Sequence, residues 1–170
     1  MLNAPKLFLL SLLFVSFSGL LNSAYADDWQ LKEATDFSAL SKQAKKDHLP
    51  IAIYFNMTKI NGSKKLKDRA ILPMIENGIL DGYVHMVQVT VDADEKIKDF
   101  YGEAVKPKFF QDFYNITSIP SIVFVDADGN EISKRMTNSG AYDYVPYYLK
   151  QRINQALKEL GNKKRFKDVN

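Results

Sequence analysis

The sequence predicts an α/β domain with a mixed central sheet and helices on both faces. Three observations carry that expectation. Helical and strand patterns alternate in the order αβαβα and then ββα. One segment, Ile51-Ala52-Ile53-Tyr54-Phe55, is apolar without a break at strand length, and Asp128-Gly129-Asn130 is a hairpin signal between two short strands. Parallel strands joined by helices and followed by an antiparallel hairpin require a mixed sheet covered on both sides.

Residues 1–26 read as a secretory signal rather than as part of the domain. Lys6 supplies a positive start, Leu7 to Leu21 is a nearly unbroken apolar run of 15 residues, and Ala24-Tyr25-Ala26 places small residues where a signal peptidase reads. A bilayer-spanning helix needs about 20 apolar residues, so cleavage is favoured over a permanent anchor. The expected location is therefore outside the cytoplasm, in the periplasm of a Gram-negative bacterium, with membrane contact only through an uncleaved signal. Residues 27–162 are expected to form the domain and residues 163–170 a solvated basic tail.

Each element then has its own signal. Thr35 or Asp36 can cap a first helix through Phe37, Leu40 and Ala44, ending before Pro50. The apolar run 51–55 is a strand buried on both faces. After a polar turn, Ser63 is placed to cap a second helix with Leu66, Ala70, Ile71, Met74 and Ile75 on one side, which Pro73 kinks or divides. A second strand spans Tyr83 to Val91, and Asp92, Asp94 and Glu95 lead into a short helix through Phe100 and Tyr101. The stretch from Gly102 to Gln111 carries no clear pattern. Ile122 to Val125 and Glu131 to Met136 are the hairpin strands, and a last helix runs from about Tyr142 to Leu160, with Pro146 in its first turn.

Composition restricts the chemistry. The 170-residue chain has 23 Lys and Arg against 20 Asp and Glu, a formal charge of +3, which singles out no nucleic acid as partner. It contains no cysteine, which excludes a disulfide, an iron–sulfur cluster, a thiolate metal site and a cysteine nucleophile. Its two histidines, His48 and His85, sit at unrelated places, so no serine-hydrolase base and no metal site is expected, and no cofactor. The aromatic group Tyr142, Tyr144, Tyr147, Tyr148, Phe109, Phe110, Phe113 and Tyr114 is read mostly as packing, because Tyr144 and Tyr148 share a helical face.

Three segments resemble the thioredoxin fold, and in particular the secreted, SoxW-related group: the strand Pro50 to Phe55, the segment Ile119-Pro120-Ser121-Ile122-Val123-Phe124-Val125 with its following turn, and the basic helix start Lys64-Lys65-Leu66-Lys67. The resemblance covers nearly all of residues 29–160. It implies a Cys-x-x-Cys motif at the strand-to-helix junction, where this chain has Ile60-Asn61-Gly62-Ser63. Ile60 stands for the attacking cysteine and Ser63 for the resolving one, so the chain has no thiolate to attack a disulfide. Ser63 is read as a helix cap, not as a catalytic group.

The resemblance also implies that Pro120 follows a cis bond and that Ile119 offers a backbone edge to an extended peptide; the plainer reading is that Pro120 only shapes the turn into the next strand. The expected function is an exported thioredoxin-like protein without its own redox centre. It would be a non-catalytic, chaperone-like module that binds a protein or extended polypeptide through Ile60, Asn61, Gly62, Ser63, Ile119 and Pro120. The alternative is a component of a periplasmic thiol–disulfide system acting with a cysteine-bearing partner.

Overall fold

A computed structural model describes residues 30–137 and 140–169; the expected signal segment lies outside them. In chain order the elements are α1 (Phe37–Asp47), β1 (Ile51–Asn56), α2 (Asn61–Leu66), α3 (Leu72–Glu76), β2 (His85–Thr90), β3 (Ile97–Lys98), β4 (Ala104–Val105), α4 (Lys108–Phe113), β5 (Ser121–Val125), β6 (Glu131–Thr137) and α5 (Val145–Glu159). The main sheet has the order β2-β1-β5-β6. β1 runs parallel to β2, with Asn56 opposite Thr90, and antiparallel to β5, with Phe55 opposite Ser121. This is the mixed sheet expected from the alternating pattern.

All six residues of β1 are buried because both faces of the strand are covered. Successive side chains point to opposite faces, so Ala52, Tyr54, Ile122 and Phe124 enter one core with residues of α2, α3 and α5. Ile51, Ile53, Phe55, Val123 and Val125 enter the other with Phe37 of α1 and Phe110 of α4. Asp36, not Thr35, caps α1: its carboxylate accepts from the Ala39 N–H at 2.9 Å. The helix ends at His48, which adopts a left-handed conformation (φ 56°).

Pro73 does not end the second helix. A π turn over Lys67–Ile71 joins α2 to α3, and Pro73 occupies the first turn of α3. Proline cannot donate to the carbonyl four residues back and its ring crowds it, so widening the preceding turn lets the helix continue.

Three expectations are corrected. Residues 94–101 form no helix; β3 and β4 make a small antiparallel hairpin instead. The buried Asp99 reverses the chain there, because its carboxylate accepts from the N–H groups of Tyr101 (2.9 Å) and Glu103 (2.8 Å). The basic tail is not solvated as a whole: Phe166 and Val169 are buried, Phe166 stacks on Tyr83 with ring centroids 4.0 Å apart, and Asn154 bonds both the N–H and the C=O of Phe166. Its lysines stay outside while its apolar residues fill the core. The aromatic group is largely on the surface, since Phe109, Phe113, Tyr144, Tyr147 and Tyr148 are exposed and only Phe110 and Tyr114 are buried. Helical spacing alone cannot say which of two apolar faces meets the core.

Candidate functional site

β1 delivers the chain to the junction that sequence reasoning singles out. Residues 57–60 form the turn, and the Thr58 N–H and hydroxyl both donate to Asp92, which fastens the turn to the segment after β2. Ile60 then stands at the start of α2 in an extended conformation with no side-chain capping bond. The Ser63 N–H donates to the Ile60 carbonyl at 3.0 Å. Ser63 is thus the third residue of α2 and not its cap, which corrects the expectation for it. Asn61 and Gly62, turn formers by habit, are tolerated because the first helical N–H groups have no intrahelical acceptor in any case.

The Ser63 backbone is held from below. The Tyr54 hydroxyl, on the buried strand β1, donates to the Ser63 carbonyl at 2.7 Å. Burial pushes the Tyr54 phenol well above its ordinary range, so it is a fixed donor and not a proton-transfer group. The Ser63 side chain is different: it is 5% exposed, and its hydroxyl has no hydrogen-bond partner.

A cavity of about 310 Å³ opens between α2 and the ends of β1 and β2. Ile60 and Ser63 line it, together with Tyr54, Asn56, Lys67 and Gln88. Asn61, Gly62, Ile119 and Pro120 do not line it. The last two lie across β1, on the β5 side, at the same end of the sheet: Ser121 is opposite Phe55, and Pro120 directly precedes it. The Ile119–Pro120 bond is cis. Pro120 is buried and Ile119 is half-buried against the core beneath α1 and α4, a core that Met57 also contacts. Neither the N–H nor the C=O of Ile119 has a hydrogen-bond partner among the described residues.

Four of the six expected residues therefore fall on two neighbouring features, Ile60 and Ser63 on a cavity on the β2 side and Ile119 and Pro120 at an open backbone edge on the β5 side, while Asn61 and Gly62 lie on neither. Sequence reasoning missed Tyr54, Asn56 and Gln88. A signal existed for two of them: Asn56 is the polar residue ending an apolar strand, and Gln88 interrupts the valines of β2. Neither arrangement contains a thiol, and no cluster of three or more metal-ligating side chains occurs among the described residues.

Comparison with known proteins agrees with the fold. A solved structure described as DsbH oxidoreductase superposes with a TM-score of 0.54 at 20% identity, covering 82% of this chain and 94% of that one. Thioredoxin O2 from Arabidopsis thaliana in its oxidized state gives a TM-score of 0.49 at 12% identity, covering 72% of this chain and 96% of that one. No curated protein matches the sequence. The family profile for the thioredoxin-like domain matches residues 37–159. By that match and by its fold, the chain belongs to the thioredoxin-like domain family.

Proposed function

We propose that this protein is an exported thioredoxin-like module without redox chemistry of its own, which binds extended polypeptide by strand addition at Ile119. The observation that supports this reading is the unpaired backbone of Ile119, next to Pro120 and at the same end of the sheet as the half-buried Ile60. An extended peptide can complete such an edge with main-chain hydrogen bonds, and an apolar neighbour can hold one of its side chains. The zero cysteine count supports the non-redox part, because exchange requires a thiolate. The apolar run and small-residue site at the amino end support export.

Carboxymethylated insulin B chain, an unfolded polypeptide without free thiols, is a suitable probe. Binding is expected to perturb the Ile119 amide resonance, and Ile60→Asp is expected to weaken it about tenfold, the effect of placing a charge in an apolar contact. Binding that leaves Ile119 untouched and ignores Ile60→Asp would overturn the reading. The purified protein is expected to show no insulin reduction with dithiothreitol above the uncatalysed rate.

A further inference from the structure

A second cavity lies on the β6 side, where the last residues of β6 meet α5. It holds about 190 Å³ between Met136 and Thr137 of β6, Leu66 of α2, and Val145, Tyr148 and Arg152 of α5. Thr137 is opposite Ser121, so the cavity stands at the Ile119 end of the sheet. It opens on the face covered by α2 and α5, since Leu66 belongs to that core and Met136 and Val145 pack against it.

Two arginines border this cavity, and only one is neutralised. Arg135 donates from Nε and Nη2 to the Glu131 carboxylate, at 3.0 and 2.6 Å, and from Nη1 to the Tyr114 carbonyl at 2.9 Å. Arg152 is half-buried and makes no ion pair among the described residues. Its guanidinium has a single long contact there, from Nη1 to the Gln155 Oε1 at 3.5 Å, and that oxygen already accepts from the Ser133 hydroxyl at 3.2 Å. The Arg152 Nε is sealed without an acceptor, whereas Nη2, equally unbonded, is not sealed and stays open. A guanidinium taken partly out of water without a counter-charge is costly, and it marks the place of a missing anion.

We propose that this cavity takes the carboxyl terminus of a polypeptide that ends in an apolar residue. The outer nitrogens of Arg152 meet a carboxylate end-on, as a planar fork meets two oxygens of one plane. Leu66, Met136 and Val145 form an apolar floor beside it. Cavities that hold whole small molecules run from about 300 Å³ upward, so this smaller one suits a single side chain with its neighbouring carboxylate. In a polypeptide only the last residue carries a carboxylate and an apolar side chain on one carbon; an internal aspartate or glutamate would leave the floor empty. The rim points to a protein partner, because Tyr144, Tyr147 and Tyr148 are exposed around it, and tyrosine, arginine and methionine are the residues enriched in protein-binding surfaces.

The test is a titration of the full exported chain with N-acetyl-Gly-Gly-Leu, which ends in a free carboxylate, followed through the Arg152 Nε–H and the Thr137 and Tyr148 amide resonances. Saturable shifts are expected at all three, with the carboxamide of the same peptide binding about tenfold more weakly, the factor for losing a charge-assisted bond. N-acetyl-Gly-Gly-Gly, which leaves the floor empty, is also expected to bind about tenfold more weakly. Arg152→Gln is expected to bring the acid down to the affinity of the carboxamide, whose own binding stays unchanged. Arg152→Lys, which keeps the charge without the fork, is expected to recover only part of the difference. Three results would each sink the proposal: equal binding of acid and carboxamide to the native protein, insensitivity of the acid to Arg152→Gln, or equally tight binding of N-acetyl-Gly-Glu-Gly-amide, which offers a carboxylate only on a side chain. The first and third comparisons use the native chain and hold even if the variants fold poorly. Because Ile119 and Ile60 are not among the residues followed, failure here and failure of strand addition are separable.

Discussion

The two ends of the sheet are built on opposite principles. At the β5–β6 turn, Asp126 accepts from the N–H groups of Asp128 (2.8 Å) and Asn130 (2.9 Å) and from the Asn130 side chain (2.9 Å), and its own N–H donates to the Asn130 carbonyl. The adjacent Tyr114 hydroxyl donates to the Gly129 carbonyl at 2.9 Å. At the β1–α2 end, by contrast, Ile60 caps nothing, the Ser63 hydroxyl is unpartnered and the Ile119 backbone is open. One end spends its polar groups on itself, and the other leaves one hydroxyl and one stretch of backbone unspent. Local consistency is the rule where a turn only has to hold the fold, and departures from it concentrate where a surface has to meet something else.

That contrast can be broken by substitution. The largest effect is expected from Gly129→Ala at the closed end. Gly129 has φ +86°, and an added Cβ would come within 3.0 Å of the Phe100 ring, so strain and overpacking together should cost about 2–3 kcal/mol in urea denaturation. Tyr54→Phe at the open end removes the donor to Ser63 but leaves its carbonyl bonded to the Lys67 N–H. Its cost should be near that of one ordinary hydrogen bond, about 1 kcal/mol, with the denaturant slope unchanged. Ser63→Ala should be the smallest and of opposite sign, a gain of about 0.5 kcal/mol, because it deletes a buried hydroxyl that bonds nothing and favours the helix. A loss of 1 kcal/mol or more there would mean the hydroxyl has a structural partner, and the comparison between the two ends would fail.

Much of the architecture was legible in the residues because it follows from burial. The run 51–55 has no polar residue to face water, so it had to be a doubly covered strand, and Asp128-Gly129-Asn130 allowed little but a hairpin. The β3–β4 hairpin was not legible, because it depends on one buried carboxylate, Asp99, folding back on N–H groups two and four residues away. The tail misled for a related reason. Its four basic residues dominate the composition of residues 163–167, yet Phe166 among them decides where the backbone goes. At the site, a one-turn error in the helix start changed the role of Ser63 from a satisfied cap to an unsatisfied buried group. Cavity-lining residues such as Tyr54 and Gln88 come from separate strands, and no local pattern joins them.

The packing of Phe166 gives the two faces of the sheet different reaches along the chain. The core beneath α1 and α4 draws on residues from Ala34 to Val125, whereas the core beneath α2, α3 and α5 extends from Leu31 to Val169. A chain emerging from its amino end can therefore close the first core while the second still lacks α5, Phe166 and Val169. Until those arrive, the apolar side of α2 and α3 remains wet, and the late contact of Phe166 with Tyr83 spans a long loop whose closure is slow. The half of the domain that carries Ser63 and its cavity is thus the half whose core needs the carboxy-terminal residues.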